Sequence, residues 1–505
     1  MQSRSSVILT LALLAAGCKD VVSYETNTGH CTYNGGDQYC AAQYPDRPFC
    51  NAGEAMCAIG DPVGCVAVVS PECHAPCGEP GDLSCVEEGD SSSGGTSDGS
   101  GSGSGSGSEG STTGPECMGD GDCMDPVAPF CDPSGACVSC NQMGDPDGAC
   151  AGQDPALPVC EGGACVQCST DNAAACEGMT PVCGEDNECV PCTEHDECPE
   201  SACHLDGEDR GACFDLAEVV EVQTEAELRM AASQPGAGRV AIHLTGNNYA
   251  LSQLLEVTDD EVAIIGAGAE SISRNGDPIF TVSGTGIVYL SRVAVENGSG
   301  DGLNCSGTSV WLDDTIVRNN AQAGMDISGG CAAHLRRGMV SANGSGGIVA
   351  SGSPVYLVNT AVGENVDTQD IAGIRITNGE LWVSYSSIVA NLAVMDPVDN
   401  IQCFGTPAGE IRNSIVVAMA GNSASGCGSL TWENNGLDAD LSGTNVSVGY
   451  AAGWFDPAEG DFHLTTTGET TFMDIAMWQE GDPTTDIDGQ PIATDMPSFP
   501  GYDQP

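Results

Sequence analysis

Asp326 and Arg375 come nearest, in type and spacing, to a reaction centre in this chain. They belong to one file, Thr281, Asn304, Asp326, Val349, Arg375 and Gln402, each of which sits between the two apolar residues of an i, i+2 pair. Hydrolysing a glycosidic bond takes two carboxylates that flank it. Eliminating across the bond takes a base to remove a proton and a cation to neutralise the substrate carboxylate. The file offers one carboxylate and one guanidinium with Val349 between them. Two repeats of parallel-strand spacing put these groups ~10 Å apart. That is a fragment of a site, and an ordinary polar outer face is the simpler account of it.

Tyr289, Trp311, His334, Tyr356 and Trp382 form a second file, placed outward by the alternation that turns Leu290, Leu312, Leu335, Leu357 and Val383 inward. Aromatic residues make up 5% of the chain, so five rings in one file are not an accident of composition. Strand spacing and ring-stacking distance nearly agree, so the rings can pile on one another. Left open, such a file would meet the apolar faces of successive sugars; covered or self-stacked, it would be structural. Asp313-Asp314 aligns with Arg336-Arg337 one repeat later, near Arg292. Pairs of this kind contribute roughly 0.2–1 kcal/mol each, so stability explains them without catalysis.

The elements that must position these files are short strands. From residue 279 on, apolar i, i+2 pairs recur at intervals of 22 to 28 residues: Phe280/Val282, Leu303/Cys305, Met325/Ile327, Ile348/Ala350, Ile374/Ile376 and Ile401/Cys403. A second set follows in each unit (Val288/Leu290, Val310/Leu312, Ala333/Leu335, Val355/Leu357, Leu381/Val383), then a single apolar position at Val295, Val317, Val340, Val362, Ile388 or Val416. Period two is the strand period, so each unit is three strands separated by turns. Repeats of this length stack into a solenoid in which each coil buries its neighbour's apolar face. Thr224-Glu225-Ala226-Glu227 is a capping box that opens a short helix through about Ser233, suited to closing the open end.

Residues 217–491 resemble the right-handed parallel β-helix proteins of the pectate-lyase-like superfamily. The cap helix, the three-strand coils and Asn320, Asn343, Asn365 and Asn391 carry the likeness; each asparagine lies three residues after a third-strand apolar position, where an asparagine ladder would form. Gly460-Asp461-Phe462-His463-Leu464 and Asp486-Ile487-Asp488-Gly489-Gln490-Pro491 resemble the closing motifs of secreted bacterial members. The resemblance implies an all-β fold with catalytic groups, where present, on the outer face of the first sheet. The Gly-His-Gly and Arg-x-Lys motifs of the pectin-cleaving hydrolases are absent.

The rest of the chain is built differently. Arg4, the apolar run Val7 to Ala16 and Leu14-Ala15-Ala16-Gly17-Cys18 read as a signal peptide (1–17) ending in a lipobox, with Cys18 lipidated. A cysteine-rich module (18–89) and a Ser/Gly linker (90–115) follow, then four tandem four-cysteine repeats (116–215) and the β-helix (216–505). Without Cys18, 28 of the 29 cysteines remain, an even number in an exported chain, so disulfides are the expectation and zinc is not. Cys305 with Cys331, and Cys403 with Cys427, are about one coil apart and should staple neighbouring turns; elsewhere the pairing is open. The cysteine repeats are read as an acidic, solvated, rod-like spacer.

Net charge is -59, which repels nucleic acid and anionic head groups. No EF-hand loop or Gly-Gly-x-Gly-x-Asp repeat is present; calcium is the one cation the composition suggests, and no cofactor is implied. The expectation is a lipid-anchored, extracytoplasmic bacterial envelope protein, with the outer-membrane surface as candidate location. Its β-helix would bind polysaccharide or another surface ligand. The alternatives are a polysaccharide lyase or glycoside hydrolase of the same superfamily, and a purely structural envelope protein.

Overall fold

The computed structural model describes residues 117–504 except 124–127, 170–171, 173–174, 234–237, 368–372, 395–397, 420–421, 439–443, 449–452 and 456–461, together with two strands nearer the N-terminus. The chain divides into two units, Met1–Ser111 and Thr112–Pro505. In the first, Phe49–Asn51 and Gly64–Val66 form an antiparallel pair with Cys50 opposite Cys65. Residues 1–17, expected to be a signal peptide, Cys18 and the Ser/Gly linker (90–115) lie outside the described residues.

The second unit contains a parallel β-helix. Its first sheet has eight strands, from Leu255–Thr258 to Asn422–Ser425. The apolar pairs stack in the order read from the sequence: Leu303 on Met325, then Ile348, Ile374 and Ile401. Val317, Val340, Val362, Ile388 and Val416 do the same in the third sheet. All are 0% exposed, and each such side chain contributes about 1.5–3 kcal/mol of burial. Early coils depart from three separate strands, because Glu261–Arg274 and Ile287–Glu296 each run on from the second sheet into the third. Arg292, Asp314, Arg337, Asn359, Tyr385 and Asn413 hold the left-handed conformation at the corner between these sheets, one per coil.

At the opposite corner Asn320, Asn343, Asn365 and Asn391 form a continuous buried ladder. Each amide donates to the next asparagine's side-chain oxygen at 2.9–3.0 Å. Each also donates to a strand carbonyl one coil back, Val295, Val317, Val340 or Val362. Asn400 extends the ladder, accepting from Asn391 at 2.9 Å. Buried backbone acceptors that the bend would orphan are satisfied in this way. The helix Glu225–Ser233 covers the N-terminal end through Leu228 and Ala232, opened by the capping box of Thr224 and Glu227.

The cysteine repeats are four small hairpin units. Each pairs its first cysteine with its third and its second with its fourth: 117–131 and 123–137, 140–160 and 150–165, 168–183 and 176–189, 192–203 and 198–213. The fourth unit corrects the expectation of a solvated spacer. Its Leu205 and Phe214 pack with Ala241, Ala263, Ile265 and Tyr289 on the outer face of the second sheet. Arginines fix it there: Arg239 to Asp209 at 2.7 Å, Arg292 to Asp196 at 2.7 Å and Arg337 to Glu194 at 2.7 Å. At the other end the C-terminal segment lies over the third sheet, where Phe462, Trp454 and Phe472 pack with Ala361, Val389, Ile415 and Val417. Gly363 makes room for it, since a Cβ there would stand 2.2 Å from the Phe462 ring.

Candidate functional site

The second sheet holds the five-ring file in register, Tyr289 on Trp311, His334, Tyr356 and Trp382 in turn. Its members do not share one environment. Tyr289 is 0% exposed, buried under the fourth cysteine unit, where its hydroxyl donates to Glu261 at 2.7 Å and accepts from the Asp206 N–H at 3.2 Å. It is therefore a structural residue and not a ligand contact. Trp311, His334 and Tyr356 stack face to face, with centroids 3.8 and 4.5 Å apart and planes within 6°. Sugars dock on ring faces, and in this stack each interior face is already taken by a neighbouring ring. The continuous ribbon that alternation predicts becomes a ladder seen edge-on. Burial drives the His334 ring down to a pKa of about 4, so it stays neutral within the stack.

Trp382 closes the file and is 41% exposed, its indole N–H donating to Glu380 at 3.0 Å. Phe404, in the next coil, is 40% exposed, and the Arg375 guanidinium lies 5.1 Å from its ring centroid. Among the described residues these are the two Phe, Tyr or Trp side chains that are exposed, and they flank one corner of the solenoid, the turn Asn378-Gly379 and its successor Gly405. One coil further on, the same corner holds a cavity of about 470 Å³ lined by Ser425, Gly426, Leu430, Thr431 and Trp432. Disulfide Cys403–Cys427 joins the two coils at this place. Its counterpart Cys305–Cys331 staples an earlier pair of coils. Phe404 belongs to neither file marked in the sequence, although the alternation that buries Ile401 and Cys403 turns Gln402 and Phe404 outward.

On the first sheet, Thr281, Asn304, Asp326, Val349, Arg375 and Gln402 form one outward file. The structure does not unite Asp326 with Arg375: Val349 lies between them, and the guanidinium leans to Phe404 in the following coil. Asp326 instead neighbours Asp301, a residue the periodic pattern does not mark. Burial pushes the Asp301 carboxyl up, against a hydrogen bond from the Ala323 N–H, and Asp277 and Asp326 add repulsion. Burial also raises Asp326. Asp313 and Arg336 pair through Nε at 2.7 Å, and Arg337 reaches Asp314 at 3.1 Å, which makes the charge ladder part of the clamp on the fourth cysteine unit.

A family of unknown function (DUF8331) matches residues 104–219, the end of the Ser/Gly linker and the cysteine repeats. No curated protein matches the chain. The crystal structure of pectate lyase Pel9A is similar with a TM-score of 0.29 and 11% identity, over 57% of this chain and 96% of that one.

Proposed function

We propose that this protein binds an uncharged polysaccharide at the Trp382–Phe404 corner and does not cleave it, while Cys18 anchors the chain by lipid to the outside of the cell. The observation that carries the reading is the pair of exposed rings in adjacent coils beside a cavity of about 470 Å³. Exposed ring faces stack on the apolar faces of sugars, and Glu380 and Glu410 beside Trp382 can accept hydroxyl protons. A net charge of -59 disfavours acidic chains, which points to a neutral one. The disulfide Cys403–Cys427 supports the reading, since a rigid platform loses little entropy on binding. Affinity electrophoresis in gels of neutral polysaccharides tests it: wild type should be retarded, and Trp382→Ala with Phe404→Ala should run as in a blank gel.

One observation favours the enzymatic alternative. Asp301 and Asp326 interact in adjacent coils, and burial pushes both carboxyls up, as a general acid requires. Product release that is lost in Asp326→Asn would support that alternative.

A further inference from the structure

His463, Asp488 and Asp503 meet where the C-terminal segment closes over the solenoid. His463 Nε2 stands 3.1 Å from an Asp488 carboxylate oxygen, and with Asp503 the three ligand atoms all lie within 4.8 Å of one another. They come from three separate stretches of chain, and each stretch is held by its backbone. Asp486 accepts from the N–H groups of Asp488 at 2.9 Å and Gln490 at 2.8 Å, which shapes the turn that presents Asp488. The other Asp486 oxygen accepts from the Gln504 N–H at 2.9 Å, and Asp503 accepts from the Leu464 N–H at 3.0 Å. The His463 ring lies against Tyr502, with centroids 5.4 Å apart. The donors therefore converge on backbone that is already fixed.

Acidic groups gather where these stretches meet. Asp503 is 5% exposed and Asp486 is 0% exposed. Among the described residues the carboxylates of Asp486, Asp488 and Asp503 lie close about the His463 imidazole. Carboxylates brought together out of water repel strongly unless a positive charge stands among them.

We propose that these three side chains bind a divalent transition-metal ion, with zinc as the ion that fits. One imidazole nitrogen and two carboxylate oxygens form a three-ligand set that zinc completes with water. Imidazole suits zinc and its neighbours better than calcium, which takes oxygen ligands. The ion would tie residues 463, 488 and 503 together, and its binding energy would stabilise the closure, since unfolding separates the ligands. This site is remote in sequence from the Trp382–Phe404 corner and stands independently of the function proposed for it.

The test uses the full chain with disulfides intact, stripped by chelator and dialysed. Elemental analysis after zinc addition and gel filtration should find one zinc per chain. The melting temperature should rise by about 5 °C when free zinc exceeds the dissociation constant a hundredfold. His463→Ala and Asp488→Asn should each lose both effects; their side chains are 37% and 51% exposed, so neither change empties a core position. Equal zinc content or an equal temperature shift in His463→Ala would overturn the proposal, as would wild type that takes up no zinc. A calcium-induced shift that matches zinc's and persists in His463→Ala would overturn it too.

Discussion

Arg337 and Glu194, 143 residues apart in the chain, face each other through two hydrogen bonds of 2.7 and 3.2 Å. The same guanidinium reaches Asp314 on its own corner of the solenoid. One residue thus joins the last cysteine unit to the β-helix, and Arg336 repeats the arrangement with Asp313 and the Thr193 carbonyl. The outer face of the second sheet is closed at its N-terminal coils by this clamp, and the C-terminal segment covers the third sheet.

The two arginines should differ in their contribution to stability. Asp313 is 4% exposed, and Arg336→Ala leaves this buried carboxylate with Arg337 alone, 4.0 Å away, which should cost about 3 kcal/mol. Glu194 and Asp314 are 41% and 35% exposed, so water screens both in part and Arg337→Ala should cost less, about 1 kcal/mol. Urea denaturation of both variants checks the order.

The Asn343 side chain makes four ladder bonds: it donates to Val317 and Asn365 and accepts twice from Asn320. Asn343→Ala leaves buried donors and acceptors unpaired on both sides and should cost about 3 kcal/mol or more. Asn319→Gly, beside the ladder and outside it, is the control for the thermal melts, since glycine keeps the left-handed backbone of that position.

Much of this architecture is legible in the chain itself. Stacked coils repeat their neighbours' environment, so Leu303, Met325 and Ile348 had to be apolar and Asn320, Asn343 and Asn365 had to be alike. The burial of Tyr289 is not legible, because Phe214 and Asp206 reach it from a different kind of module and that contact follows no period. The loss of free ring faces in the second-sheet file is likewise a matter of side-chain rotation, which alternation does not fix. Phe404 was within reach of the pattern, since outward placement follows from Ile401 and Cys403. Asp301 was not, standing in a turn just before its strand.

Acid should loosen the clamp. Burial lowers His195 and His334 from 6.5 to about 4 in the folded chain. The folded state therefore binds fewer protons than the unfolded one between these values. Stability that is full above pH 6.5 must fall as pH drops towards 4. Replacing His334 by Phe keeps a ring in the stack and should flatten part of that decline in melting temperature measured from pH 7 to 4.

Asp326 runs in the opposite direction. Burial raises its carboxyl, so the charged form is penalised on folding and the penalty disappears on acidification. Asp326→Asn should melt above wild type at pH 7 and level with it once pH falls below the carboxylate range.

Binding without turnover at the Trp382–Phe404 corner is decided by isothermal titration of the full chain with neutral oligosaccharides, followed by chromatography of the same mixtures. Wild type should give saturable heat, Trp382→Ala and Phe404→Ala should each lose at least about tenfold in affinity, and the oligosaccharides should be recovered intact. Shortened oligosaccharides, or affinity unchanged in both variants, would contradict it.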